Sequence, residues 1–190
     1  MSDDLDIVLS EIRRALVHME NNELSNYIVP GLTSYLIGGP KHGRVRMFSA
    51  SRETREFITP HSHRFNFTCL VLSGEVRNTI YRPGITGDEK WCLSTIGQVC
   101  GENGVIEYHH IRDKEPTPWI AQTTTYVKGN TYRMKHTELH SIQFSRMAEV
   151  LFFEGPQLTE TSRMIEPWVN DKVVPTFRTE PWMFERGEAA

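Results

Sequence analysis

Short runs rich in β-branched and aromatic residues occupy the chain from residue 32 to residue 153. Clusters of Gly, Pro, Asn and Asp separate these runs at regular intervals. This pattern is typical of an antiparallel sandwich or barrel. The sequence therefore predicts an all-β fold, with strands near 33–37, 44–50, 56–62, 66–73, 75–82, 89–95, 104–111, 118–128, 130–136, 140–146 and 148–153.

The two ends of the chain differ from this middle part. Residues 3–23 place apolar side chains at helical spacing after an acidic start that suits a helix cap and first turn. After Glu154, prolines alternate with aromatic residues, which predicts an extended arm packed on the barrel or across a two-fold homodimer. We expect one domain over 1–190, with an N-terminal helix in 1–25, a barrel over 32–154 and a C-terminal arm over 155–190.

Composition limits the partners and the compartment. The formal net charge is -3, whereas nucleic-acid binding needs clustered positive charge. No run reaches membrane-spanning length, and the acidic start is unlike a signal peptide. The three cysteines form no C-x-x-C pair, so no disulfide framework is expected. We therefore expect a cytoplasmic protein with a small-molecule partner, bound neither to nucleic acid nor to a membrane.

Two histidines, His61 and His63, are the strongest sign of chemistry in the sequence. Side chains at positions i and i+2 of a strand point to the same face, so both imidazoles can reach one ion. Divalent transition metals accept such neutral nitrogen donors. The pair predicts a metal site on this strand.

The surrounding residues resemble the first motif of the cupin superfamily, G-x5-H-x-H-x3,4-E-x6-G. His61 and His63 match its histidine pair, Gly74 matches its closing glycine, and Phe67 stands at the glutamate position. In the second motif, G-x5-P-x-G-x2-H-x3-N, the histidine position is taken by His140. The resemblance implies a cupin-type (RmlC-like) antiparallel β-barrel or jelly roll.

With Phe67 at the glutamate position, the resemblance implies a metal site of three histidines: His61, His63 and His140. Such a site is similar to that of the thiol (cysteine) dioxygenases, which implies non-haem Fe(II) and a small thiol- or carboxylate-bearing substrate. Zinc, manganese or nickel could bind the same nitrogens. Two alternatives stay open: a non-catalytic cupin used for binding or assembly, and a zinc-dependent isomerase or lyase on the same barrel.

Further candidates lie near His140. On a strand, Glu138 would share a face with His140, so it is a candidate catalytic proton acceptor or a further ligand. His136 would lie on the same face and is a candidate for substrate binding or a competing third ligand. A zinc-protease helix is disfavoured because its H-E-x-x-H motif requires glutamate where Thr137 stands. Tyr132 is a candidate proton donor.

Two types of residue are expected to contact the substrate. Phe67 would form an apolar wall where cupins place a carboxylate. Arg77 is a candidate to hold a substrate carboxylate, because a guanidinium can bind both carboxylate oxygens. Arg46 and Arg55 are alternatives to Arg77, and the sequence does not choose among the three.

Overall fold

All regular elements in the described part of the chain are strands. The structure, a computed structural model, describes residues 23–24, 30–37, 44–55, 59–85, 90–100, 106–112, 115–169 and 172–173. The strands are β1 (Glu23–Leu24), β2 (Leu32–Leu36), β3 (Val45–Ala50), β4 (Thr54–Arg55), β5 (Phe65–Ser73), β6 (Glu75–Pro83), β7 (Lys90–Cys100), β8 (Ile106–Arg112), β9 (Thr117–Val127), β10 (Thr131–Met134), β11 (Leu139–Phe144), β12 (Glu149–Gln157), β13 (Thr161–Val169) and β14 (Lys172–Val173).

These strands form two sheets with antiparallel pairing. The six-stranded sheet has the order β1-β2-β3-β12-β5-β10. The eight-stranded sheet has the order β14-β13-β7-β9-β6-β11-β4, with β8 attached to β7. The predicted all-β, antiparallel architecture is confirmed. The predicted helix over 3–23 lies outside the described residues, except for Glu23, which belongs to β1.

The core lies on the inner face of the six-stranded sheet, where side chains alternate between core and surface. On β5, Phe67, Cys69 and Val71 are buried. Cys69 pairs with Phe152 of β12 on one side and with Tyr132 of β10 on the other. Burying a large apolar side chain contributes about 1.5–3 kcal/mol, so this row of paired residues stabilises the sheet and forms one wall of a cavity.

One predicted strand, residues 56–62, needs correction. A regular strand is present only at Thr54–Arg55, residues 56–58 lie outside the described part, and His61 forms isolated bridges to His140 and Met164. Pro60 has no N–H to donate, which interrupts a regular ladder. Its carbonyl still accepts a bond from the Ile165 N–H at 2.9 Å. The segment is thus extended and held between β11 and β13.

The chain after Glu154 contributes to the sheets. Strand β12 continues to Gln157, and β13 pairs with β7 from Thr161↔Gly97 to Pro167↔Trp91. Residues 161–169 of the predicted arm are therefore part of the eight-stranded sheet, and residues 174–190 lie outside the described part. Among the described residues, no helix is long and apolar enough to cross a membrane.

Candidate metal centre

Three histidines from two distant parts of the chain lie close together. The ring centroids of His61, His63 and His140 are 5.1–5.4 Å apart, and one nitrogen of each lies within 4.8 Å of the others. The backbones of His61 and His140 exchange two hydrogen bonds of 2.9 Å, which fixes the first histidine segment against β11. The three-histidine group predicted from the sequence is present in the structure.

Hydrogen bonds orient two of these rings. His140 Nδ1 lies 2.7 Å from the side-chain oxygen of Asn78, and His61 Nδ1 lies 3.2 Å from the backbone oxygen of Thr59. An amide oxygen only accepts, so each Nδ1 carries the proton and each Nε2 keeps its lone pair. Both rings therefore present Nε2 as a possible metal ligand.

The third ring completes a donor set that fits a divalent metal. His63 Nε2 lies 2.8 Å from His140 Nε2. Two nitrogens bound to one ion at about 2.0–2.1 Å are about 2.9–3.4 Å apart at octahedral or tetrahedral angles, so His63 and His140 need little movement to bind the same ion. Three neutral nitrogens without a carboxylate suit a transition metal or zinc better than calcium or magnesium.

The surroundings of His63 and His140 favour the neutral form of both rings. Burial lowers the pKa of His63 well below its ordinary value, and the neighbouring His140 and His61 lower it further. Burial also lowers the pKa of His140, with His61 adding to the effect. Metal binding requires the unprotonated ring, so these groups need not lose a proton to solvent at neutral pH before they bind an ion.

Aromatic rings enclose the space in front of the histidines. A cavity of about 110 Å³ opens there, and its walls include Phe48, Phe65, Phe67, Phe144, Phe152 and Tyr132. The Phe67 ring contacts His63 edge-on at 4.8 Å between centroids. Phe67 thus lies at the site, as predicted, and presents an apolar face beside the three nitrogens.

The same cavity is also lined by two charged side chains, Arg46 and Glu154. Arg46 Nε donates to Glu154 Oε1 at 3.0 Å, and both side chains are only 11% exposed. Arg46 Nη1 also donates to the Ser34 hydroxyl at 3.5 Å. Arg46, one of the three arginines considered from the sequence, lines this cavity.

Tyr132 and Cys69 lie side by side on the cavity wall. Burial raises the pKa of the Cys69 thiol to about 12, with a hydrogen bond from Tyr132 acting in the opposite direction. The Cys69 thiol is therefore protonated at neutral pH and is no thiolate nucleophile. Tyr132 stacks on Tyr126 at 4.5 Å and faces the cavity, while the next residue, Arg133, is exposed.

Three predicted site residues are placed elsewhere. Arg77 is exposed on β6 and pairs with Glu75 at 2.9 Å. His136 bonds to the side chain of Asn66 at 3.2 Å, and Glu138 accepts the Lys135 N–H at 2.8 Å. The structure does not bring Arg77, His136 or Glu138 to the cavity, because the turn at 135–138 breaks the strand on which His136 and Glu138 were expected to share a face with His140.

Sequence reasoning missed two features of the site. One is Asn78, which is 1% exposed and forms a hydrogen bond with the His140 ring. Its signal in the sequence was a polar residue between Val76 and Ile80 on the inward face of a strand. Glu154 was placed at the boundary between barrel and arm, and nothing local to it indicates an ion pair with Arg46, which is 108 residues away.

The comparisons with known proteins found similar structures and no similar sequence. No family model and no curated protein matches the chain. Matching solved structures include an RmlC-like cupin from Shewanella frigidimarina (11% identity, 72% of this chain and 87% of that chain, TM-score 0.39) and the Drosophila melanogaster CENP-C cupin domain (9%, 67% and 71%, 0.39). A hydroxypropylphosphonic acid epoxidase from S. wedmorenis also matches (12% identity, TM-score 0.40); the match covers 70% of this chain and 54% of that chain.

Two of these three structures are named as cupins. Their identities and TM-scores are low, so nothing about the chemistry of this chain follows from them. The description of the chain as a cupin-like β-fold with a possible metal site rests on the motif residues, the antiparallel sheets and the three histidines that meet in the cavity.

Proposed function

We propose that this protein is a metal-dependent cupin and acts as a non-haem Fe(II) dioxygenase on a small molecule that carries a thiol or a carboxylate. The single observation that supports this most is the meeting of His61, His63 and His140 beside an aromatic cavity. Three neutral ligands leave positions on the ion for other groups, and iron(II) held there supplies redox chemistry with oxygen.

Charge balance favours an anionic donor atom on the substrate. An imidazole that binds a metal through its lone pair brings no charge, and within the described residues no carboxylate belongs to the histidine group. A divalent cation in an apolar cavity is stabilised when a ligand brings negative charge. A thiolate or carboxylate of the substrate meets this requirement where Phe67 leaves none from the protein.

The chain's own residues have separate tasks in this proposal. Asn78 holds the His140 ring, so that Nε2 faces the cavity. Phe67 and Phe152, with ring centroids 4.5 Å apart, exclude water from the space beside the histidines. Tyr132 lines the cavity, and we assign it the role of proton donor to a bound substrate.

The test combines metal analysis with oxygen uptake. Protein purified without added metal should contain iron close to one atom per chain, and a panel of small thiols and carboxylates should be tested for oxygen consumption. A dioxygenase product gains two oxygen atoms, which mass spectrometry with labelled oxygen detects. Absence of any bound iron, zinc, manganese or nickel after loading would reject the metal site.

A second outcome separates the activity from the site. Protein that binds metal and consumes no oxygen with any compound is not the proposed dioxygenase. Bound zinc with substrate turnover in the absence of oxygen would support an isomerase or lyase. Bound metal without turnover would support a binding or assembly role.

A further inference from the structure

The Arg46–Glu154 pair occupies an unusual place in the fold. Arg46 pairs with Phe152 across β3 and β12, and Glu154 lies two residues after Phe152, so both charges share the inner face with that ring. The cross-strand partners of Arg46 and Glu154 on this face are Phe152 and Phe67, and both rings are buried. Two charges thus face a cavity whose other walls are mainly aromatic.

Stability alone does not explain this pair. Removing two charges from water costs free energy that their attraction offsets only in part, and apolar residues in the same place are often as stabilising. Both side chains line the cavity that also contains the histidines. Charged groups that point into a cavity are placed to contact what binds there.

The pair is electrically balanced, which limits the group it can accept. A guanidinium by itself attracts a carboxylate. Here Glu154 lies 3.0 Å from Arg46, so a ligand carboxylate near Arg46 is also repelled by Glu154. An uncharged group that both donates and accepts, such as an amide or a hydroxyl, can bond to both partners without that repulsion.

We infer that the Arg46–Glu154 pair binds an uncharged polar group of the ligand, and that Glu154 determines specificity by excluding a carboxylate from this end of the cavity. This inference rests on the proposed function and narrows it: the anionic donor lies at the histidines, and the far end of the substrate is uncharged. The Phe152 ring is next to both groups, because it is the cross-strand partner of Arg46 and its centroid lies 6.2 Å from that of His63.

The test uses two probes of nearly equal size, 4-mercaptobutanamide and 4-mercaptobutanoate. Both carry a thiol for the metal, and they differ in the charge of the far group. Affinities are measured by calorimetry on zinc-loaded protein, which binds the probes without consuming oxygen. We expect wild-type protein to prefer the amide about tenfold, and Glu154→Gln to bind the carboxylate about tenfold more tightly while its affinity for the amide changes less than twofold.

A second buried glutamate of β12 provides a matched control. Glu149 is 7% exposed, is hydrogen-bonded to Ser73 and does not line the cavity. Glu149→Gln should keep the wild-type preference. An unchanged preference in Glu154→Gln, or the same change in both variants, overturns the inference.

A double variant separates the loss of ligand contacts from misfolding caused by an unpaired buried charge. Arg46→Met with Glu154→Leu removes both charges and leaves no unpaired one in the sheet. We expect this variant to bind zinc as the wild type does and to lose at least fivefold in affinity for the amide. If the double variant binds zinc and keeps the wild-type affinity for the amide, the inference is wrong and the proposed function is unaffected. If the wild-type protein does not bind zinc, the proposed function is wrong as well.

Discussion

His136 and His140 are four residues apart, and the structure places them in different surroundings. His136 lies in a turn, where its backbone and ring both bond to the Asn66 side chain. His140 is 3% exposed on β11, bonds to Asn78 and lies 2.8 Å from His63. The local sequence does not distinguish the two histidines, since Glu138 lies two residues from each of them.

The difference shows that the residues around a histidine in the folded protein decide whether it can serve as a metal ligand. A turn over 135–138 ends the strand alternation that would have placed His136, Glu138 and His140 on one face. Pairing of β11 with β6 then brings Asn78 to His140, which sets the protonated nitrogen of the ring. The comparison leads to four predictions, from the largest expected effect to the smallest.

Replacing the buried histidine should have the largest effect. His140→Ala removes one of three nitrogen donors. A zinc site with four ligands contributes about 10–16 kcal/mol, so one ligand accounts for about 2.5–4 kcal/mol and its loss weakens metal binding about 70- to 900-fold. His136→Ala should bind metal within twofold of the wild type. Competition with a chelator measures both, and equal affinities of His140→Ala and the wild type would remove His140 from the site.

Replacing the hydrogen-bond partner of His140 should have the next largest effect. Asn78→Ala leaves the imidazole unoriented, and loss of such a partner typically costs about 10–100-fold in metal affinity. Asn78→Asp keeps an acceptor at the same atom and should retain more affinity than Asn78→Ala. The same loss in both variants would show that the oxygen of Asn78 does not orient the ring.

The buried histidines should make the metal-free protein sensitive to acid. The pKa values of His63 and His140 are lowered in the folded protein, whereas an unfolded histidine has a pKa of about 6.5. The unfolded chain therefore binds more protons below about pH 6.5, and stability falls as the pH falls through that value toward the folded pKa values. Each histidine contributes up to about 1.4 kcal/mol per pH unit.

Denaturant unfolding at several pH values measures this slope. His140→Ala removes one of the two groups and should reduce the slope below pH 6.5 by about half. His136→Ala is the control and should leave the slope unchanged. A wild-type stability that is constant from pH 7 to pH 5 would contradict the neutral state of the buried histidines.

The smallest effect is expected from a substitution in the turn at 135–138, which contains His136 and precedes His140 in the sequence. Glu138 accepts the Lys135 N–H at 2.8 Å, so Glu138→Gln weakens one exposed hydrogen bond and should cost no more than about 1 kcal/mol of stability. Metal affinity and activity should stay within twofold of the wild type. A loss of activity above tenfold with unchanged metal content would give Glu138 the catalytic role predicted from the sequence.

The sequence by itself determined the features that depend on neighbours along the chain. Runs rich in β-branched and aromatic residues, bounded by turn residues, predicted β5 and β6 within one residue at each end, because both signals are local in the chain. In an extended backbone, side chains two positions apart point to the same face, which predicted that His61 and His63 lie together. They do so even though neither lies in a regular strand. Spacing from this pair identified Phe67, which contacts His63 in the structure.

Tertiary structure decided the features that depend on pairing between distant segments. Asn78 reaches His140 through the register of β6 and β11, and Arg46 reaches Glu154 through the register of β3 and β12. A register is set by the burial of whole strands and not by the residues at one position. The sequence could therefore propose several arginines for one cavity, and only the packed sheets placed Arg46 inside it and Arg77 outside.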